Sequence, residues 1–95
     1  MNTEEKELEA IRNKIDALDY QIHDLLNQRA IYALEVAAIN VKAHGNDVNF
    51  HRPDREKAIL AKIHAYNKGP LTDQAVANIF KTIMNESLIL QQKQG

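Results

Sequence analysis

The stretch Leu8–Ile39, LEAIRNKIDALDYQIHDLLNQRAIYALEVAAI, decides the fold. Its apolar residues Leu8, Ile11, Ile15, Leu18, Ile22 and Leu25, and after a gap Val36 and Ile39, recur in steps of three and four. That spacing lines one side of an α-helix. No Gly or Pro occurs before Gly45, so nothing in the chain interrupts the pattern. Thr3 suits the N-cap, and Glu4 and Glu5 suit the positive end of the helix dipole. The stretch predicts one helix from about residue 4 to about residue 42.

Beyond it, residues 43–52 (AHGNDVNFHR) read as a polar loop, with Gly45, Asn46 and Asp47 as turn formers. Pro53 fits the first position of a second helix, where its missing N–H costs nothing. That helix carries Ile59, Leu60, Ile63 and Tyr66 and stops near residue 67, before Lys68-Gly69-Pro70. Thr72 is expected to cap a third helix over about 72–92, with Leu71 and Val76 placed as a hydrophobic staple. Its apolar face runs through Val76, Ile79, Phe80, Ile83 and Leu90. No strand pattern, repeat or internal boundary is visible. The chain reads as one all-α domain, 1–95, of one very long and two shorter helices.

Length then argues for a partner. A helix of about 39 residues is roughly 58 Å long, whereas a compact globule of this chain's size is roughly 32 Å across. A long helix striped with apolar residues needs cover that the rest of the chain is too small to provide. A second copy, with the two long helices packed together, is the simplest cover, so an intertwined homodimer is expected. With 95 residues the chain's own core is marginal, and the usual reinforcements are missing from the sequence. It contains no cysteine, and His23, His44, His51 and His64 lack the spacing of a metal site.

Charge narrows the partners. Twelve Lys and Arg against 13 Asp and Glu leave no basic excess for nucleic acid. The first residues are polar and acidic, the reverse of a signal peptide, and no apolar run approaches the roughly 20 residues of a membrane span. A cytoplasmic protein that binds neither nucleic acid nor membrane is expected.

Polar residues at core positions are the candidates for function, because buried charges and amides are costly unless paired or used. Arg29 continues the stripe of the long helix (Ile22, Leu25, Arg29, Tyr32, Val36). Asn40, three turns further on, returns to within about 20° of the same face. Ser87 and Gln91 stand one turn apart on the third helix, and Arg55 and Glu56 open the second. Each also has a plainer explanation. Arg29 could pair with a glutamate across a dimer seam, and Asn40 could set helix register. Ser87 and Gln91 could mark a fraying end, while Pro53-Asp54-Arg55-Glu56 could be helix-start chemistry alone. The set carries more weight than its members, since three helices each break pattern with polar groups.

The order Ile11-Arg12-x-x-Ile15-Asp16-x-Leu18-Asp19, Leu25-Leu26-x-x-Arg29, Glu35-Val36-Ala37, then Arg52-Pro53-Asp54-Arg55-Glu56 and Ser87-x-x-x-Gln91, resembles the helical chorismate mutase family. The similarity runs from about residue 8 to 92. The phrases Phe50-His51-Arg52-Pro53-Asp54-Arg55-Glu56 and Asn67-Lys68-Gly69-Pro70-Leu71 look most like the mutase domain of bifunctional chorismate mutase–prephenate dehydratases.

The resemblance implies a substrate with two carboxylates and conversion of chorismate to prephenate. Arg12, Arg29 and Arg55 would clamp the carboxylates, with Arg52 beside them. Glu56 would accept a hydrogen bond from the ring hydroxyl. Ser87 would reach a carboxylate and Gln91 the ether oxygen, with Arg29, Asn40 and Gln91 as the catalytic set. The reaction is pericyclic, so no nucleophile, metal or cofactor is implied. Arg12 and Arg29 are 17 residues apart, about 25 Å along one helix and about 100° apart around it. They cannot hold one small molecule from the same chain, so a site shared across the dimer is expected.

One position departs from the family. Where relatives carry a lysine aimed at the ether oxygen, this chain has Asn40, and Lys42 is about 200° away around the helix. Three outcomes fit: a weak mutase, a relative acting on 4-amino-4-deoxychorismate or isochorismate, or a non-catalytic regulatory dimerisation domain.

Overall fold

A computed structural model describes residues 2–94, all helix and connecting turn, with no strand among the described residues. Helix α1 spans Thr3–His44, a 3₁₀ turn follows at Gly45–Asp47, and α2 (Pro53–Tyr66) and α3 (Asp73–Gln94) complete the chain. Three helices are thus present in the expected order.

The helix ends show which local chemistry wins. Asn2, not Thr3, caps α1. Its Oδ1 accepts from the Glu5 N–H at 2.8 Å, and its carbonyl accepts from the Lys6 N–H at 3.2 Å. Both residue types cap well, and here the chain enters the helix one residue earlier than expected. At the other end α1 runs on to His44, because Ala43 is a strong helix former and turn chemistry starts only at Gly45. Gly45 takes φ +60°, the left-handed conformation that ends helices and favours glycine.

Asn67 stops α2 and shapes the turn to α3. Its backbone N–H donates to the Ile63 carbonyl at 2.9 Å. Its Nδ2 donates to the Leu71 carbonyl at 3.0 Å and to Asp73 Oδ1 at 2.7 Å. Thr72 caps α3 as expected, with Oγ1 accepting from the Ala75 N–H at 3.1 Å. The α3 helix continues to Gln94, two residues past the expected end.

The chain divides into two compact units, one up to Ile31 and one from Tyr32. In the first, the α1 stripe has no cover. Leu8, Ile11, Ile15, Leu18, Ile22 and Leu25 are between 50% and 63% exposed. In the second, α2 packs against α3, bringing half-buried Ile59, Leu60 and Ile63 to the same core as Val76, Phe80 and Ile83. Ala37 and Met84 are its buried apolar residues among the described ones.

Candidate active site

Of the eight candidate residues, Arg12 and Arg29 lie in the first unit and six lie in the second. Arg12 is exposed and Arg29 half-buried, both on α1.

In the second unit α3 carries Ser87 and Gln91 one turn apart, both half-buried. Ser87 Oγ donates to the Ile83 carbonyl one turn back, at 3.0 Å. Gln91 reaches off its own helix: Nε2 donates to the Ala33 carbonyl of α1 at 2.8 Å. A fraying end does not make such a bond, so that explanation fails for Gln91. Ala33 and Asn40 lie seven residues apart on α1, about 10 Å along the axis and within about 20° around it. Helix side chains lean toward the N-terminus, so Asn40 leans toward the turn of α1 that Gln91 meets. Asn40 is half-buried, and its amide makes no hydrogen bond to another described residue. One neutral amide of α1 and one reaching it from α3 therefore share a face of α1.

The start of α2 carries the second group. Arg52 is the N-cap residue, its carbonyl accepting from the Glu56 N–H at 3.1 Å without a side-chain cap bond. Pro53 occupies the first turn as expected. Asp54 and Glu56 stand in that first turn, where the helix dipole favours negative charge. Arg52 and Arg55 are exposed, and neither side chain forms an ion pair with a described carboxylate. Glu56 is half-buried, with Oε1 3.7 Å from His51 Nε2. That distance is an ion pair when the imidazole is protonated, and too long for a hydrogen bond.

Two contributors carried no residue-type signal. Ala33 acts through its backbone carbonyl, which no side-chain pattern encodes. His51 reads in sequence as a solvated residue. The turn in which Asn49 Oδ1 accepts from the His51 N–H at 3.1 Å sets the backbone that brings it to Glu56.

An all-α chain with guanidinium groups, one carboxylate and a pair of neutral amides at its polar positions has the features of a binding protein for a small anion. Residues 11–92 match the family described as chorismate mutase type II, and the chain belongs to that family. It is 39% identical over 92 residues to a bifunctional chorismate mutase/prephenate dehydratase of Stutzerimonas stutzeri, covering 95% of this chain and 25% of that protein. A protein of the same description from Neisseria gonorrhoeae is 41% identical over 80 residues, covering 84% of this chain and 21% of its own length. The chain thus spans about a quarter of the length of these curated relatives. Among solved structures, a chorismate mutase of Thermus thermophilus superposes with a TM-score of 0.86 at 28% identity, covering 93% of this chain and 97% of that one. The chorismate mutase of Helicobacter pylori in complex with prephenate gives 0.82 at 27% identity, covering 93% and 92%.

Proposed function

We propose that this chain catalyses the rearrangement of chorismate to prephenate as a single mutase-type domain over residues 1–95. The observation that carries the proposal is the Gln91 amide, drawn from α3 to the face of α1 that holds Asn40. The reaction breaks a C–O ether bond and forms a C–C bond in one step, so the protein has no proton to move and no covalent intermediate to support. Its task is to hold the folded conformer of the substrate and to stabilise negative charge gathering on the ether oxygen. Amide donors at Gln91 and Asn40 suit the second task.

Arginine suits the first, because its planar fork binds carboxylates bidentately. Arg12, Arg29, Arg52 and Arg55 are the proposed carboxylate ligands, Glu56 the acceptor for the ring hydroxyl, and Ser87 a further carboxylate donor once its O–H turns from the Ile83 carbonyl. The resemblance supports these roles position by position, and the prephenate complex of the Helicobacter pylori relative supports a dicarboxylate ligand. A second reading is favoured by Asn40. A neutral amide there would tolerate an ammonium group on the substrate, as in 4-amino-4-deoxychorismate. Purified protein is expected to consume chorismate, followed by its absorbance, and to form prephenate. Consumption of the amino analogue alone would favour the second reading, and no turnover of either would leave a non-catalytic domain.

The uncovered stripe of α1 supports a homodimer with sites shared between subunits. Six large apolar residues at half exposure or more on one helix form a surface that a monomer in water rarely keeps. Light scattering behind a sizing column is expected to give about twice the 10.8 kDa of one chain at micromolar concentration. A folded, helical monomer there would remove both the dimer and the shared site. No helix among the described residues is long and apolar enough to cross a membrane, and a cytoplasmic location is part of the proposal.

A further inference from the structure

Gln91 and Ala33 are 58 residues apart in sequence, and the bond between them ties the last turns of α3 to the C-terminal third of α1. A carbonyl oxygen can only accept, so the end of the Gln91 side chain that faces Ala33 is its NH₂ group. Inside the helix the regular partner of that carbonyl is the N–H of residue 37, and its second lone pair remains for Gln91. Ala37 is 1% exposed and Ala33 half-buried, so water competes poorly for the oxygen. A bond in such surroundings is stronger than at the surface and polarises the group that makes it. The amide nitrogen carries two hydrogens. One is committed to Ala33, and the other makes no bond to another described residue.

We propose that the backbone carbonyl of Ala33 is a positioning group for Gln91. It fixes which end of the amide faces the substrate and presets the second N–H as the donor to the ether oxygen. The inference rests on Gln91 having that role in the proposed reaction. A glutamine has three side-chain torsions, and freezing them on binding costs free energy. An amide already bound to the helix meets that cost on folding, so the donor is in place before substrate arrives. The gain falls on the step in which charge develops, hence on kcat more than on KM. Alanine at 33 and 37 belongs to the same device, since larger side chains on this face would hold α3 away from the carbonyl.

Backbone chemistry tests this without deleting a side chain. Replacing residue 34 of the full chain by the α-hydroxy acid of leucine turns the Ala33 carbonyl into an ester carbonyl, a weaker acceptor. Replacing residue 33 by lactic acid does the same to the carbonyl of residue 32 and is the matched control, since each change removes one helix N–H and weakens one helix carbonyl. The ester at 34 is expected to lower kcat roughly two- to tenfold below the control, the range of one modest hydrogen bond, with KM nearly unchanged. In substrate-free wild type, one of the two Gln91 Nε2 protons is expected to exchange more slowly with water than those of exposed Gln21 and Gln28. That protection should vanish in the ester at 34 and persist in the control. Equal kcat for the two esters, or Gln91 protons exchanging like those of exposed glutamines, would overturn the inference. If wild type turned over no chorismate, the functional reading would fall, while proton exchange would still decide whether Ala33 holds the amide.

Discussion

Arg29→Ala is expected to lower kcat/KM for chorismate by about 10²–10³-fold, because removing one member of a desolvated, hydrogen-bonded charge pair typically costs about 2–5 kcal/mol. Arg29 is half-buried already in the single chain, so a carboxylate bound to it would lose much of its water. Without the guanidinium that carboxylate keeps the desolvation cost and loses both N–H donors. Arg29→Lys should recover only part of the loss, since an ammonium offers a point charge in place of a fork. Helix content by circular dichroism should stay near the wild-type value. If the variant unfolds and activity per folded molecule is kept, Arg29 is a structural ion-pair residue and not a ligand. Arg12 extends the argument. Arg12 and Arg29 are too far apart on α1 to serve one small molecule, so the proposed shared site would take its Arg12 from the partner subunit. Arg12→Ala and Arg29→Ala should each be inactive alone. Co-refolded in equal amounts they should regain about a quarter of wild-type activity, because half the dimers would be mixed and each mixed dimer keeps one intact site. No recovery, with mixed dimers demonstrated by mass spectrometry, would place both arginines in a site within one chain.

The long helix was legible because its signal is repeated. Each of Leu8, Ile11, Ile15, Leu18, Ile22 and Leu25 votes for the same face, and no Gly or Pro dissents before Gly45. The ends were less legible, since a cap depends on one residue and two good candidates stood side by side. Asn2 took the position from Thr3. Thr72 had no such rival, and it caps α3. Among the candidate site residues, Gln91 was ambiguous because the same letter serves a frayed end and a directed donor. Only its bond to Ala33, across 58 residues of sequence, separates the two. The Ala33 carbonyl and the approach of His51 to Glu56 were invisible for related reasons. One is a backbone group that every residue possesses, and the other follows from a turn set by Asn49. Side-chain pattern reports which face is apolar; it does not report which backbone oxygen a neighbouring helix will meet.

Asn40→Lys is expected to raise turnover of chorismate by about tenfold or more, if chorismate is the substrate. In the transition state negative charge grows on the ether oxygen, and the proposed donors nearest it, Asn40 and Gln91, are both neutral. A charged donor is roughly twice as strong as a neutral one, and one well-aimed donor in a preorganised site is worth about 3–4 kcal/mol, or roughly 10²–10³ in rate. Part of that gain would be lost because a lysine is longer than the asparagine it replaces and carries more rotamer freedom to freeze. The wild-type chain does not supply the cation from its own neighbourhood on α1. Lys42, two residues on, lies about 200° around the helix and is exposed. Asn40 is half-buried with no hydrogen bond to another described residue, so the substitution breaks no bond in the free protein. The same change discriminates between substrates. An ammonium on the substrate would meet like charge from the new lysine, so turnover of 4-amino-4-deoxychorismate should fall while that of chorismate rises. Both rates need measuring on wild type and variant at equal pH and salt. A slower reaction with chorismate in the variant would mean that the Asn40 amide already serves the ether oxygen better than an ammonium can. The neutral pair of Asn40 on α1 and Gln91 on α3 would then be the working arrangement of this site, not a weakened form of a charged one.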